Sequence, residues 1–383
     1  MSQTPDAPLR TTFTGGFDER YAARRIDFHG WWLPLSYDGI LEEHRWTREQ
    51  CGLFNVSHMG RFLVRGPDTI PFLDSLLPND VAALRPGRAL YSPLCDDAGG
   101  IIDDLVVYKS SAEECLVIVN AANRDGDWAW LIEHSDGRSV ALLDRSELLA
   151  QIAVQGPAAE AVVQPHLDVA LASVPYFHHC RGRIAGVEAL IAATGYTGED
   201  GFELYLPSAR ALAVWELLAA DPRVRPCGLG ARDLLRLEAG FRLYGQDMDR
   251  EHTPIEAGLS WTVKFGKGSF LGREAMRRPC REQLMGLTVE GRQPPRTGYP
   301  IVERATGRPI GRVTSGAFSP WLGHGVALGY VTTPAPEGEL AIDARGRLLP
   351  ARRATLPFVD RVTRRARRGD RPAAPGASRD AGS

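Results

Sequence analysis

Apolar and polar positions along this chain follow two periods, and the places where one gives way to the other predict its elements. Residues 41–51 (LEEHRWTREQC) read as a short helix, charged on one side and followed by Gly52. Residues 60–66 make a strand bounded by glycines. Asp68 caps a helix running to Leu77, with Ile70, Leu73 and Leu77 at helical spacing. Pro71 falls in its first turn, where a missing N–H costs little. Three strands follow between 90 and 120: one ending at Leu94, then 101–108, then 115–120. The stretch DDAGG at 96–100 is the first turn, and Glu113-Glu114 sit close to the second, so the segment is an antiparallel meander. The pattern recurs with strands at 151–155, 187–193 and 202–206, a helix start at 157–163 and a helix at 211–218. A further helix over 231–244 carries Leu234, Leu237 and Phe241 on one stripe and closes at Gly245.

These elements predict an α+β protein with two units of similar make-up, each an antiparallel sheet with helices packed on it. After about Arg281 the texture changes. Short runs at 284–289, 299–302, 309–314, 325–331 and 339–342, separated by Gly and Pro, suggest a small β-barrel or sandwich. The last residues, from Arg364 on, have no core former beyond alanine and read as disordered. The division expected is 1–280 for two intertwined α+β units, 281–365 for the barrel and 366–383 for the tail.

Composition narrows the class. A chain of 383 residues suits two or three domains, and 44% hydrophobic with 24% charged residues is ordinary for a soluble protein. Forty-five basic against 47 acidic side chains leave a formal charge of -2, which favours neither nucleic acid nor membrane as a partner. The six cysteines contain no C-x-x-C pair and read as reduced, mostly buried thiols. The first residues lack the pattern of a signal or transit peptide, and no apolar run approaches the roughly 20 residues needed to span a bilayer. The expectation is a soluble protein of a bacterial cytoplasm.

Most familiar motifs are absent. There is no P-loop, and Gly228-Leu229-Gly230 lacks the third glycine of a dinucleotide fingerprint. His178 and His179 are adjacent, so on a strand they face opposite sides and do not share a metal. Three segments carry more. In the first, Asp103 and Asp104 interrupt the apolar 101–108 strand, and alternation puts Asp104, Val106 and Tyr108 on one face. That face suits a flat, polar-edged aromatic ligand; equally, the two acids could cap a turn or pair with arginine. The second, 194–203 (TGYTGEDGFE), combines three glycines with Glu203 at a strand start. A buried glutamate there can accept two parallel N–H bonds from a heterocycle, and an ordinary hairpin with exposed acids fits the same letters. In the third, Arg232 lies at a helix start, where the dipole disfavours a cation. It needs an anionic ligand or a protein acid such as Asp233 or Glu238.

Taken in order, these segments resemble the glycine cleavage system T-protein family of aminomethyltransferases. The matching stretches are 55–60 (NVSHMG), 99–108, 119–123 (VNAAN), 195–203, 228–238, 243–249 (LYGQDMD) and 258–261 (GLSW), with 314–320 (TSGAFSP) and 357–359 (PFV) in the barrel. The resemblance covers roughly residues 9 to 365. It implies a three-domain cloverleaf around a central folate channel, no metal, and a monomer that docks a lipoyl-bearing H-protein. The reaction implied transfers the one-carbon unit of the aminomethyl-lipoyl arm to tetrahydrofolate with release of ammonia. By motif position Asp104 is the essential aspartate and Glu203 holds the amino-amide edge of the pterin. Tyr91, Val106, Tyr108, Asn120, Tyr176, Tyr196, Arg232 and Trp261 line the folate channel on the same resemblance, with Arg361 or Arg364 reaching the folate glutamate. The chain departs from the family at Phe241, where several members carry tyrosine, and at Asp360, where many carry a base.

Two sibling readings share the fold. A folate-dependent demethylase of a small sulfonium or N-methyl donor would keep the folate site and change the donor mouth. A folate-binding assembly factor without transferase activity would carry a cysteine in a K-G-C-Y-x-G-Q-E loop, and here that loop reads Leu243-Tyr244-Gly245-Gln246-Asp247.

Overall fold

Two sheets and a barrel, each closed over its own apolar core, hold the chain together. The computed structural model describes residues 9–335 and 338–359; the expected tail at 366–383, with Arg361 and Arg364, lies outside the described residues. The first sheet has five strands in the order Arg88–Cys95, Ile101–Ser111, Glu114–Val119, Gly60–Arg65 and Ala141–Asp144, all antiparallel. Phe62, Val64, Leu94, Leu105, Val107 and Val117 point to one side of it, where the helix Thr69–Leu76 lays down Phe72, Leu73 and Leu76. Strand alternation meeting helical spacing is what makes that core.

The second sheet repeats the plan with six strands: His179–Ile184, Val187–Ala192, Gly201–Pro207, Leu149–Gln155, Cys51–Asn55 and Val224–Pro226. Its last pair runs parallel, the one departure from the antiparallel expectation in these two sheets. The helix Ser208–Ala219 covers one face, burying Ala211, Val214, Trp215 and Leu218. The opposite faces of the two sheets meet across Tyr108, Leu116, Ile118, Leu190, Ala192 and Tyr205. The third unit is a closed six-stranded barrel between Glu282 and Ala354, in which the sixth strand, Arg347–Ala354, was not visible in the pattern.

The helix expected over 231–244 ends early. It spans Leu229–Glu238, and Gly240 adopts a φ of +69° immediately after it. Gly240 N–H bonds back to Leu237 and Phe241 N–H bonds to Arg236, the paired closure of a Schellman motif. Phe241 therefore leaves the helical stripe and is free to face the site. The pattern also missed the hairpin of Arg24–Phe28 and Trp31–Ser36 and the helix Arg124–Glu133. The six cysteines are free, four buried and two half-buried. No helix among the described residues is long and apolar enough to cross a membrane.

Buried charge ties the units to one another. Glu238, fully buried at the end of its helix, accepts from Arg48 Nη2 at 2.7 Å and Nε at 3.1 Å and bonds His44 Nε2 at 2.8 Å. Both partners stand on the helix Ile40–Glu49, while Ser319 donates to Glu238 from the barrel. Arg236 repeats the link, bonding Asp247 at 2.6 Å and Ser315 of the barrel at 2.9 Å. Burial alone would raise Glu238, yet the bonds from His44, Arg48 and Ser319 hold it below the usual carboxylate range. Its contribution to stability is therefore present above the unfolded-state value and lost as pH falls through the folded one. Removing one partner of such a network strands the others: Glu238→Ala should lower stability by about 3–5 kcal/mol in chemical denaturation. A loss below about 1 kcal/mol, the size of an exposed pair, would contradict this role.

Candidate active site

Two adjacent acids on one strand meet different surroundings. Ile101–Ser111 lies between Arg88–Cys95 and Glu114–Val119, with Pro93 opposite Asp104 and Tyr91 opposite Val106. Asp103 is fully buried and accepts from Asn120 N at 2.9 Å, Asn120 Nδ2 at 2.8 Å and Asn123 Nδ2 at 2.8 Å. Asp104 is half-buried and accepts from the same Asn120 Nδ2 at 2.7 Å and from the Tyr91 hydroxyl. Asn120 can serve both acids because it stands just past the end of its own strand. Neither donor to Asp104 is charged. Burial first, then the negative charge of Asp103, push the Asp104 carboxyl up to about 7; the bonds from Tyr91 and Asn120 pull it down.

Further along the same strand Tyr108 points between the sheets. Its hydroxyl lies 2.7 Å from Thr194 Oγ1 and 3.2 Å from Glu203 Oε2. Thr194 donates to the same Glu203 oxygen at 2.6 Å, while Gln151 Nε2 donates to Oε1 at 3.0 Å. By count of lone pairs this leaves one acceptor position of the Glu203 carboxylate, on Oε1, uncommitted. The turn before Glu203 needs its glycines for space: a Cβ on Gly195 would stand 1.9 Å from Gln155 Oε1, around which the turn wraps.

Aromatic rings and arginines border the two acids. Tyr91 stacks on Trp261 with centroids 5.8 Å apart, and Trp261 is 36% exposed. Tyr196 stacks on Phe241 at 5.6 Å and donates its hydroxyl to the Arg242 carbonyl. The Arg232 guanidinium sits 4.8 Å above the Tyr196 ring. The acids first offered as its partners are taken: Asp233 bonds Arg236 at 2.8 Å, and Glu238 bonds Arg48. Arg232 Nη1 is buried and has no hydrogen-bond partner among the described residues, and Glu203 attracts its charge through space. Tyr176 is half-buried near Asp200 and Glu203, whose charges, after burial, raise it to about 12. Val106 pairs with Ile118 and packs against the buried cluster that holds Tyr108.

Residues outside the expected set complete the arrangement. Gln151 fixes Glu203 and lies opposite Tyr205, whose hydroxyl donates to Tyr108 at 3.1 Å. A glutamine inside the run LAQIAVQ was the available signal. Arg242 bonds the carbonyls of Gly240, Ala257 and Gly258, and its charge partly offsets the burial and the Asp104 charge that raise Tyr91. Asp103 carried no assigned role, and Asp127 carried no signal, since the helix Arg124–Glu133 on which it stands was itself missed in the pattern.

Residues 17–267 match the GCVT N-terminal domain, and residues 282–360 match the glycine cleavage T-protein C-terminal barrel domain. An aminomethyltransferase of Halothermothrix orenii is 44% identical over 346 residues, covering 88% of this chain and 96% of the relative. An aminomethyltransferase of Deinococcus deserti is 43% identical over 359 residues, covering 94% of this chain and 99% of the relative. The crystal structure of glycine cleavage system aminomethyltransferase T from Bartonella henselae superposes with a TM-score of 0.86 at 35% identity, covering 92% of this chain and 98% of that one.

Asp104 titrates above its unfolded-state value of 3.8, so its contribution to stability is full below that pH and lost as pH rises through about 7. Carbon-detected NMR of the carboxyl should give a midpoint near 7 that moves further up in Asn120→Ala, because the lost bond favours the ionised form. An ordinary midpoint near 3.8 would overturn this electrostatic description.

Proposed function

From the chain's membership of the glycine cleavage T-protein family we propose that Asp104 and Glu203 divide its reaction between them, one at the reacting carbon and one at the folate ring. The enzyme is an aminomethyltransferase: it moves the one-carbon unit of aminomethyl-lipoyl H-protein to tetrahydrofolate and releases ammonia. The observation that carries the residue assignment is the setting of Asp104, a half-buried carboxylate bonded to neutral donors only. The lipoyl-bound group is an N,S-acetal, and breaking it at either heteroatom leaves a carbon with cationic character. A carboxylate already paired with arginine would have little attraction left for that charge. Asp104 keeps its attraction, in a place where water screens it weakly.

Glu203 is the group we assign to the pterin. Gln151, Thr194 and Tyr108 fix its carboxylate, and the free position on Oε1 can accept an N–H of the pterin edge. Tetrahydrofolate, as co-substrate, supplies the amines that capture the carbon. Tyr91, Val106, Tyr108, Asn120, Tyr176, Tyr196, Arg232 and Trp261 are assigned to the surrounding channel. Their fit to a folate rests on flat rings for stacking and on the uncommitted Arg232 Nη1. The lipoyl H-protein is the partner we assign, with the chain acting as a monomer that needs no metal. Six free thiols suit a reducing compartment, and we place the enzyme in the cytoplasm.

The test is ammonia release from lipoyl H-protein loaded with methylamine, with and without tetrahydrofolate. Folate-stimulated release is expected; none with an intact partner would redirect the assignment to a demethylase. Asp104→Asn should keep the fold and lower turnover about 10²-fold or more, the scale of a lost preorganised charge. Full activity in that variant would remove Asp104 from the reaction. Glu203→Gln should weaken tetrahydrofolate binding in calorimetry, and unchanged affinity would remove Glu203 from the folate site.

A further inference from the structure

Behind Asp103 stands a third acid. Asp127 lies one turn into the helix Arg124–Glu133, is fully buried, and meets the carboxylate of Asp103. Asn123, the cap of the same helix, reaches Asp103 from one turn earlier, so both residues face the strand together. Among the described residues, no N–H or hydroxyl donates to either oxygen of Asp127. Its contact with Asp103 therefore holds only if a proton lies between the two acids. Two carboxylates in contact in a dry site cannot both ionise. Among the described residues Asp103 receives three amide donors and Asp127 none, which puts the charge on Asp103 and the proton on Asp127.

We propose that Asp127 is a positioning residue of the aminomethyl transfer: as a neutral acid it donates its hydrogen bond to Asp103, which in turn holds Asn120 against Asp104. The proposal rests on the reading of Asp104 given above. It gives Asn120 a fixed anchor, because the same Nδ2 spans Asp103 at 2.8 Å and Asp104 at 2.7 Å. It also limits the charge behind Asp104. Burial and then the field of Asp103 already raise Asp104; a second charge on Asp127 would act in the same direction and keep Asp104 protonated at neutral pH. Burial, followed by the fields of Asp103 and Asp104, drives the Asp127 carboxyl far above the carboxylate range. The other titratable or charged groups facing the cluster are Tyr91 on the neighbouring strand, Tyr196, and Tyr244, Arg242, Asp249 and Arg250 from the loop after the Leu229–Glu238 helix. Arg250 acts on Asp127 through space and lowers its proton affinity, a smaller effect than those of the two aspartates.

The experiment compares Asp127→Asn and Asp127→Leu with the wild type in the H-protein assay, across pH, with Asp104→Asn as reference. An amide is neutral and still donates. Asp127→Asn should therefore keep turnover within about twofold and leave the acid midpoint in place. Leucine matches the volume without the donor. Asp127→Leu should lower kcat about tenfold or more, move the acid midpoint upward as Asn120 loosens, and leave the tetrahydrofolate KM within about twofold. A packing role alone would move neither the midpoint nor kcat in this selective way. Should Asp127→Leu fail to fold, the infrared difference between wild type and Asp127→Asn, taken above the Asp104 midpoint, is decisive. A protonated-carboxyl band belonging to the wild type is expected, and an ionised-carboxylate band in its place overturns the proposal. It is overturned equally by a downward shift of the midpoint in Asp127→Asn, or by wild-type behaviour of both variants while Asp104→Asn is inactive. Full activity of Asp104→Asn would instead strike the underlying assignment of Asp104.

Discussion

Negative charge inside a protein is costly unless something answers it, and this fold answers it with amides and hydroxyls where it could have used arginine. Asp103 takes three amide N–H groups, and Asp104 takes one amide and one phenol. Elsewhere the same chain buries acids against full cations, as Glu238 does with Arg48 and Asp247 with Arg236. The contrast separates two uses of a buried acid. Paired with arginine it fastens helices to the barrel. Held by neutral donors it retains a field that a developing cation can feel.

The folded units around this point serve to hold it. Asp104 sits on the first sheet, Glu203 on the second, and Tyr108 crosses from one to the other to touch Thr194 and Glu203. Trp261 and Arg242 come from the long connection between the Leu229–Glu238 helix and the barrel and close over Tyr91 and Tyr196. A substrate bridging the acids would therefore touch both sheets and the connection together, which binds catalytic geometry to overall packing.

Much of this was legible in the letters where a pattern has a local cause. The strands around Asp104 show alternation, the Gly195 turn shows its glycines, and the barrel shows Gly and Pro punctuation. Periodicity failed where a tertiary or chain-end effect overrides it. Leu234, Leu237 and Phe241 keep helical spacing, yet Gly240 reverses the backbone before Phe241 is reached. The parallel pairing of Val224–Pro226 with Cys51–Asn55 joins segments far apart in sequence, which no local pattern encodes. Within the site, Asp104 and Glu203 were visible because they break apolar runs. Asp127 was not, because the helix that carries it left no readable pattern, and only the fold shows that acid facing inward. Arg232 was visible as an anomaly, but its neighbours in sequence proved to serve Arg236 and Arg48.

A crystal structure with a reduced folate bound tests the central claim most directly. The folate nitrogens that receive the carbon should lie within hydrogen-bond reach of the Asp104 carboxylate, with the pterin edge on Glu203. Folate bound elsewhere, or an Asp104 turned into bulk water with those nitrogens beyond its reach, would contradict it.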